Sequence, residues 1–519
     1  MIYVQLTGYT HFSTEHIYVL GASLKNEKRP MFICFIMENH DQNLTPHLEW
    51  EFSDFPITIK QLKFEKNNWG FEESPTIVIW RNENYQLIGK INGSVRDFRK
   101  HEDNDFIGQG NIVKGQLITG FDSGGNIVEL KECLFAGIHT NSVQFPFAEG
   151  ELSIDAIHIR FASAEIPKIK TRLDWFVCEK VSARLFRTTH RNRKLENKKI
   201  RVGIDDFVDS IENHVGSSSS KDYTIVNLPD YKFIVAKVPD SLLNGDVKGI
   251  CFEYRENLEL VTEDIIYGTK CFLSFLLGNE LQNLGYSIIS GNDLLEVYLC
   301  SISKLSHKGA MPPIKFNTKY NWGDISFLLN SFLPVYLNLR NSLKLDNALE
   351  KYWISKRIPL GANLPVLASA LETIAGEYLK TKKHTSEYIS ESDYLNLIEK
   401  EKEQLEIKLS SIEGGQIMLN KILGAFRKGP NEKMNIFFSE INIEIGKSEK
   451  SAINLRNKMA HGNRDYSKDK NVHNDLIHST IYKLLFHRII LKLIGYDGYY
   501  IDYSLQGCPS KHIDTKAGE

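Results

Sequence analysis

The stretch Asn454-Leu455-Arg456-Asn457-Lys458-Met459-Ala460-His461-Gly462 gathers a guanidinium, a carboxamide and an imidazole in one short segment. On a helix, at about 100° per residue, Asn457 and His461 lie one turn apart on nearly the same side, with Arg456 flanking them. The surroundings favour that helix. Gly446 breaks the preceding segment, Ser448 is placed to cap a new helix, and Ala452, Leu455 and Met459 form a narrow apolar stripe. Gly462 is placed to end it in a left-handed turn. His461 then sits at the negative end of the helix dipole, which favours its protonated form and suits it to acid catalysis near neutral pH.

Such a set suits metal-free cleavage of a ribose phosphodiester. The ribose brings its own nucleophile, the 2′-OH. The protein has to take that proton, protonate the departing 5′-oxygen, and stabilise the charge growing on the phosphoryl oxygens. An imidazole moves protons, and a guanidinium binds phosphate through two N–H groups. One His is thin for both proton transfers, and two copies across a symmetric interface would supply a second His and a second Arg. The pattern itself is weak: with 18 Arg and 16 His in the chain, about 0.6 such spacings arise by composition alone. Arg96 and His101 repeat it in the β-rich part, and Leu339-Arg340-Asn341 comes near it but has Leu345 in place of the His. Pairing of Arg456 and His461 with helix-packing neighbours or acids is the alternative that residue chemistry leaves open.

Helical periodicity dominates from about 320 to 495. It predicts helices near 323–344, 346–357, 363–381, 390–411, 415–428, 431–441, 448–461 and 470–494. Leu364, Leu367, Ala368, Leu371 and Ala375 form one apolar stripe; Leu476, Tyr482, Leu485, Ile489 and Leu493 form a rougher one. The tail from 496 to 519, with Gly498, Gly507 and Pro509, is expected to pack irregularly or fray. The first third reads as β: Met31–Met37, Pro75–Trp80, Ile157–Phe161 and Leu173–Cys178 are strand-like, and Asp122-Ser123-Gly124-Gly125-Asn126 between Gln116–Phe121 and Ile127–Leu130 signals a hairpin. A sandwich-like or barrel-like β domain over 1–165 follows, then a mixed α/β region over 166–319. In that region Tyr231–Lys237 and Val247–Arg255 read as strands, and Glu263–Gly278 as a buried helix. The fold class is thus α+β and multidomain.

The 519 residues carry 63 Lys+Arg against 65 Asp+Glu, so nucleic-acid contact has to come from local patches. One patch is the run Arg184, Arg187, Arg191, Arg193, Lys194, Lys198, Lys199 and Arg201, opposed only by Glu196. It reads either as a solvated face or as a phosphate track. The seven Cys are scattered with no CxxC, which argues against disulfides and a Cys-based zinc site and fits a reducing, cytoplasmic setting. No signal peptide and no membrane span is expected. Gly108-Gln109-Gly110 begins like a dinucleotide fingerprint, but Val113 stands at the third glycine, so a turn is the better reading. No Walker loop, HExxH or GxSxG occurs.

Arg456, Asn457 and His461, late in a helical region, resemble the signature of HEPN-domain ribonucleases: Arg, a polar residue, then His after a short gap. All three positions match. Ala370-Leu371-Glu372 on an amphipathic helix is similar to the early HEPN helix, whose acid often lies near the site. The layout, with a β-rich N-terminal part, a middle region and helices at 320–495, resembles the ApeA-like group of bacterial antiphage abortive-infection factors. The resemblance implies an all-α HEPN bundle that forms a homodimer with both motif helices lining one cleft. It implies RNA as substrate, tRNA among the candidates, cleavage to a 2′,3′-cyclic phosphate and a 5′-hydroxyl, no metal or other cofactor, and a phage-derived trigger. Arg456 would hold the scissile phosphate, His461 would transfer protons, and Asn457 would orient His461 or the RNA. Glu372 would support the site, and Lys458, Arg464, Arg191, Arg193 and Lys194 would guide RNA.

Two other readings stand beside it. One is a non-catalytic HEPN-like scaffold that binds RNA or nucleotides, or only dimerises. The other is a metal-dependent hydrolase on His473, His478 and His487, whose spacings stack poorly on one helix face.

Overall fold

A computed structural model describes residues 20–22, 31–33, 56–65, 71, 75–94, 115–140, 147–161, 171–178, 195–196, 199–200, 223–238, 247–254, 261–290, 293–302, 310–315, 325–360, 362–384, 387–460 and 469–519. Short pairs β1 (Leu20–Ala22) with β2 (Met31–Ile33) open the chain. Six antiparallel strands follow: β3 (Ile57–Phe64), β4 (Thr76–Arg81), β5 (Leu87–Ser94), β6 (Gln116–Phe121), β7 (Ile127–Thr140) and β8 (Phe147–Ile154). Their pairings run β7-β6-β3-β4-β5-β8 and return to β7. Of the two forms that the strand pattern allows, sandwich or barrel, the β-rich part takes the closed barrel. The cause is β7, which has 14 residues. Its first half pairs with β6, and its second half, past a register shift, pairs with β8. One long strand thus serves both sides of the seam and closes the barrel.

Strict alternation in β4 and β5 puts Ile77, Ile79, Leu87 and Ile91 into the barrel core with Ile118 and Leu130. The anticipated hairpin at 122–126 is present. Asp122 Oδ1 accepts from the Gly124 and Asn126 N–H groups at 2.8 and 2.9 Å, and Gly125 takes the positive φ of 78° that the turn needs.

The sheet does not stop at the barrel. β9 (Ala156–Arg160) pairs with the first half of β7 on one side and with β17 (Asp293–Cys300) on the other. From there it continues through β16 (Gln282–Ser290), β10 (Thr171–Cys178), β15 (Lys248–Tyr254), β14 (Lys232–Lys237) and β13 (Tyr223–Asn227). The two-residue strands β11 (Leu195–Glu196) and β12 (Lys199–Ile200) pair separately. Helix α1 (Glu263–Leu277) begins at Thr262, whose hydroxyl accepts from Ile265 N–H, and ends at left-handed Gly278. Its Phe272 and Leu276 belong to the same buried core as Phe176 and Phe252 of the sheet.

The helical part comprises α2 (Ile325–Leu343), α3 (Leu345–Arg357), α4 (Asn363–Thr381), α5 (Glu391–Leu397), α6 (Glu399–Leu409), α7 (Gly415–Leu423), α8 (Pro430–Glu440), α9 (Lys447–Ala460) and α10 (Asp469–Leu493). The expected helix over 390–411 is two helices, because Ile398 leaves helical geometry between them. The whole α4 stripe is buried, Leu364, Leu367, Ala368, Leu371 and Ala375 alike. On α10, Tyr482, Leu485 and Ile489 are buried, but Leu476 is half exposed, since it precedes the part of α10 that enters the core. Among the described residues no helix is long and apolar enough to cross a membrane.

The tail does not fray. β18 (Tyr499–Ile501) and β19 (Ser510–His512) form a hairpin, and Tyr500, Ile513 and Ala517 are fully buried in the helical core. Asp502 fastens it, accepting from Gly518 N–H at 2.9 Å and pairing with Lys511 at 2.9 Å. Its low hydrophobic periodicity hid this, because the contacts are made by isolated residues and by one polar hub.

Candidate active site at the α4–α9–α10 junction

The motif helix α9 is fixed at its first turn. Gly446 occupies the cap position, and its N–H donates to Glu449 Oε2 at 2.8 Å, the reciprocal half of a capping box. Ser448, expected as the cap, lies inside the helix and instead donates to Gly518 O of the tail. Lys447 N–H donates to the Glu519 carboxylate. The other Glu449 oxygen forms an ion pair with Arg488 of α10, both side chains fully buried, and Arg488 Nε donates to Ile513 O at 3.1 Å. Tail, α9 and α10 are thus locked together.

Ala452 and Leu455 of the predicted stripe are buried. They hold α9 against α4 and α10, and the next residue, Arg456, enters the junction between them. Its guanidinium pairs with Glu372 of α4 and lies beside the hydroxyl of Tyr482 on α10. Tyr482 is itself buried, and burial pushes its hydroxyl well above the ordinary tyrosine range, against the opposing pull of Arg456. The Arg456 Nε is buried with no hydrogen-bond partner among the described residues. On the same α4–α10 seam Asn363 Nδ2 donates to Ser479 Oγ at 2.7 Å.

The structure therefore joins two of the residues singled out in the sequence, Arg456 and Glu372. The guanidinium does not project into solvent: Arg456 is only 8% exposed. Packing of α9 into the groove beside α4 draws it in, and Glu372, with 43% of its side chain exposed, forms the outer end of the pair. Asn457 and Lys458 lie on the last turn of α9, and their side chains fall outside the described residues, as do His461 and Arg464. Arg191, Arg193 and Lys194 of the basic run fall outside them too, as do Gly108–Gly110 and the Arg96…His101 pair. The near miss at Arg340 is structural. It is buried and ion-paired to both Asp264 and Asp346, and Gly268 of α1 gives it room, since a Cβ there would lie 2.2 Å from Nη1.

The histidine set proposed for a metal does not converge. His473 is exposed, His478 Nδ1 lies 2.7 Å from Asn474 O, and His487 is buried with Nε2 2.8 Å from the Tyr352 hydroxyl. Among the described residues, Asp497, His512 and Asp514 come closest to a cation site, with one ligand atom from each within 4.8 Å of the others. The imidazole turns different nitrogens to the two carboxylates, however, and Lys492 already pairs with Asp514 at 2.6 Å.

Sequence reasoning missed three participants. Tyr482 was legible only as one member of an apolar stripe. Glu449 and Arg488 carried no motif, although Glu449 three residues after Gly446 is a capping-box spacing. In comparisons with protein-family models, curated proteins and solved structures, none matches this chain.

Proposed function

We propose that this chain is a metal-independent endoribonuclease of bacterial antiphage defence, with a HEPN-type site built on α9. The observation that carries the reading is the pairing of Arg456 with Glu372: the motif Arg and the acid of the early helix, chosen from sequence by resemblance, meet across the α4–α9 contact. In the reaction the 2′-oxygen attacks phosphorus, the 5′-oxygen departs with a proton, and a 2′,3′-cyclic phosphate and a 5′-hydroxyl remain. Arg456 binds the phosphoryl oxygens and offsets their growing charge. His461 transfers protons, and Asn457 orients it or the strand. A second copy, paired through the helical part, supplies the second His and Arg. Glu372 holds the guanidinium in the resting protein, and the phosphate takes the place of this carboxylate when RNA binds. A phage-derived signal, sensed by the β-rich part, favours that exchange, and the setting is the bacterial cytoplasm.

The test is RNA degradation by purified protein with a chelator present. Wild type cuts and leaves cyclic phosphate ends; His461→Ala loses cutting by at least the 10²-fold typical of a lost proton-transfer group. Equal rates in the two proteins rule the assignment out. The burial of Arg456 favours a second reading, a non-catalytic scaffold in which the ion pair only fastens α9 to α4. On that reading Arg456→Ala lowers stability or assembly, and neither protein cuts RNA or poisons an expressing cell.

A further inference from the structure

One cation beside this junction lacks a charge partner. Lys351 of α3 lies half-buried, with Nζ donating to Ser369 Oγ and Thr373 Oγ1 of α4, each at 3.0 Å. No carboxylate among the described residues ion-pairs with it. Its neighbours behave differently: Lys344 and Lys380 both reach Glu377, and Arg357 reaches Glu280. The partners of Lys351 are neutral, so its full positive charge remains. The hydrogen-bond inventory is also incomplete. An ammonium has three N–H groups, and two are used here. Thr373 spends its proton on Ser369 O at 2.7 Å, whereas the Ser369 hydroxyl accepts from Lys351 and has no acceptor of its own among the described residues. An N⁺–H and an O–H are left side by side, which is the donor set for an oxyanion.

Its placement names the anion. Ser369 and Thr373 are one turn apart on α4, and Glu372, the partner of Arg456, is the residue next to Thr373. Glu372 and Ser369 differ by only about 4.5 Å along the helix axis. Following from the proposed function, we infer that Lys351 with the Ser369 hydroxyl is a phosphate seat for the bound RNA strand, next to the phosphate held by Arg456. The seat contacts backbone and reads no base, so it positions the strand for cleavage without selecting sequence. Inorganic phosphate offers the same oxygens, and polymer and free anion are separated by the experiment.

The probe is a short 2′-O-methyl RNA, which has no free 2′-OH and is not cut, and binding is followed by fluorescence anisotropy across a salt series. Lys351→Gln keeps an N–H for the two hydroxyls and removes the charge. It lowers the magnitude of the log–log salt slope by about 0.7, the share of one phosphate on a single strand. Lys351→Arg retains the slope, and Ser369→Ala weakens binding with the slope unchanged. Identical slopes for wild type and Lys351→Gln overturn the seat and leave the nuclease reading standing. A slope change in a protein that cuts no unmodified RNA supports the seat and overturns the nuclease. Displacement of the oligonucleotide by inorganic phosphate at matched ionic strength, equal in wild type and Lys351→Gln, assigns the anion to another place and also overturns the seat. A wild type that does not bind the oligonucleotide overturns both.

Discussion

Arg456 and His487 show how differently two buried cationic side-chain types are treated in one bundle. Arg456 cannot shed its proton and so is given Glu372 and a tyrosine hydroxyl. His487 can, and among the described residues no acid pairs with it. It sits edge-on to Phe275 at 5.7 Å, bonded to Tyr352, with Nδ1 unpartnered among the described residues. Burial, with smaller contributions from Lys356 and Lys483, holds its imidazole down to about 3 from an ordinary 6.5. Between those values the unfolded chain takes a proton that the folded chain refuses, so stability falls as pH drops below 6.5. At pH 5 the loss from this residue is about 2 kcal/mol relative to pH 8. His487→Phe is expected to remove that part of the acid sensitivity, read as the difference between urea midpoints at pH 8 and pH 5. If variant and wild type lose the same stability over that range, His487 is not the group responsible. The sequence had offered His487 as a metal ligand. Its hydrogen-bond partner, Tyr352, is 135 positions away, and no local pattern announces it.

At the scale of elements, helices such as α4 were legible because they bury an amphipathic stripe, and the stripe sets the period. The α4 prediction, 363–381, matches its observed bounds for that reason. The hairpin β16–β17 was not read at all. Its strands alternate, but the outer face carries Tyr286, Tyr298 and Glu296 instead of plain polar residues. Tyr286 and Tyr298 stack at 5.4 Å, and Glu296 accepts from the Tyr286 hydroxyl at 2.7 Å and lies 2.9 Å from His158. That row makes sense only once β9, β17 and β16 lie side by side. The tail was misread for a related cause, since Arg488, which pairs with Glu449 of α9, also holds it by donating to Ile513 O. Leaving one partner of such a pair without the other costs roughly 3–5 kcal/mol. Arg488→Met should therefore destabilise strongly, and Arg488→Met with Glu449→Leu should recover much of the loss. Calorimetric melting of the single and double variants checks this; a double variant no better than the single one contradicts it.

Across the whole molecule, the sheet passes without interruption from the barrel into the region that carries the helices. The β9–β17 ladder is the join, and Val297 and Leu299 of β17 belong to the barrel's own core. A fragment ending at 165 keeps β9 but strips it of that partner, leaving an unpaired apolar edge. It is expected to self-associate on size exclusion and to become soluble when co-expressed with 166–519. A monomeric, cooperatively melting fragment would show that the barrel does not need the join. The sheet thus gives the β-rich part a continuous route to α1, α2 and the rest of the bundle. There α9 starts in dry core at Glu449, and about 10 Å further along its axis Arg456 meets a carboxylate half open to water.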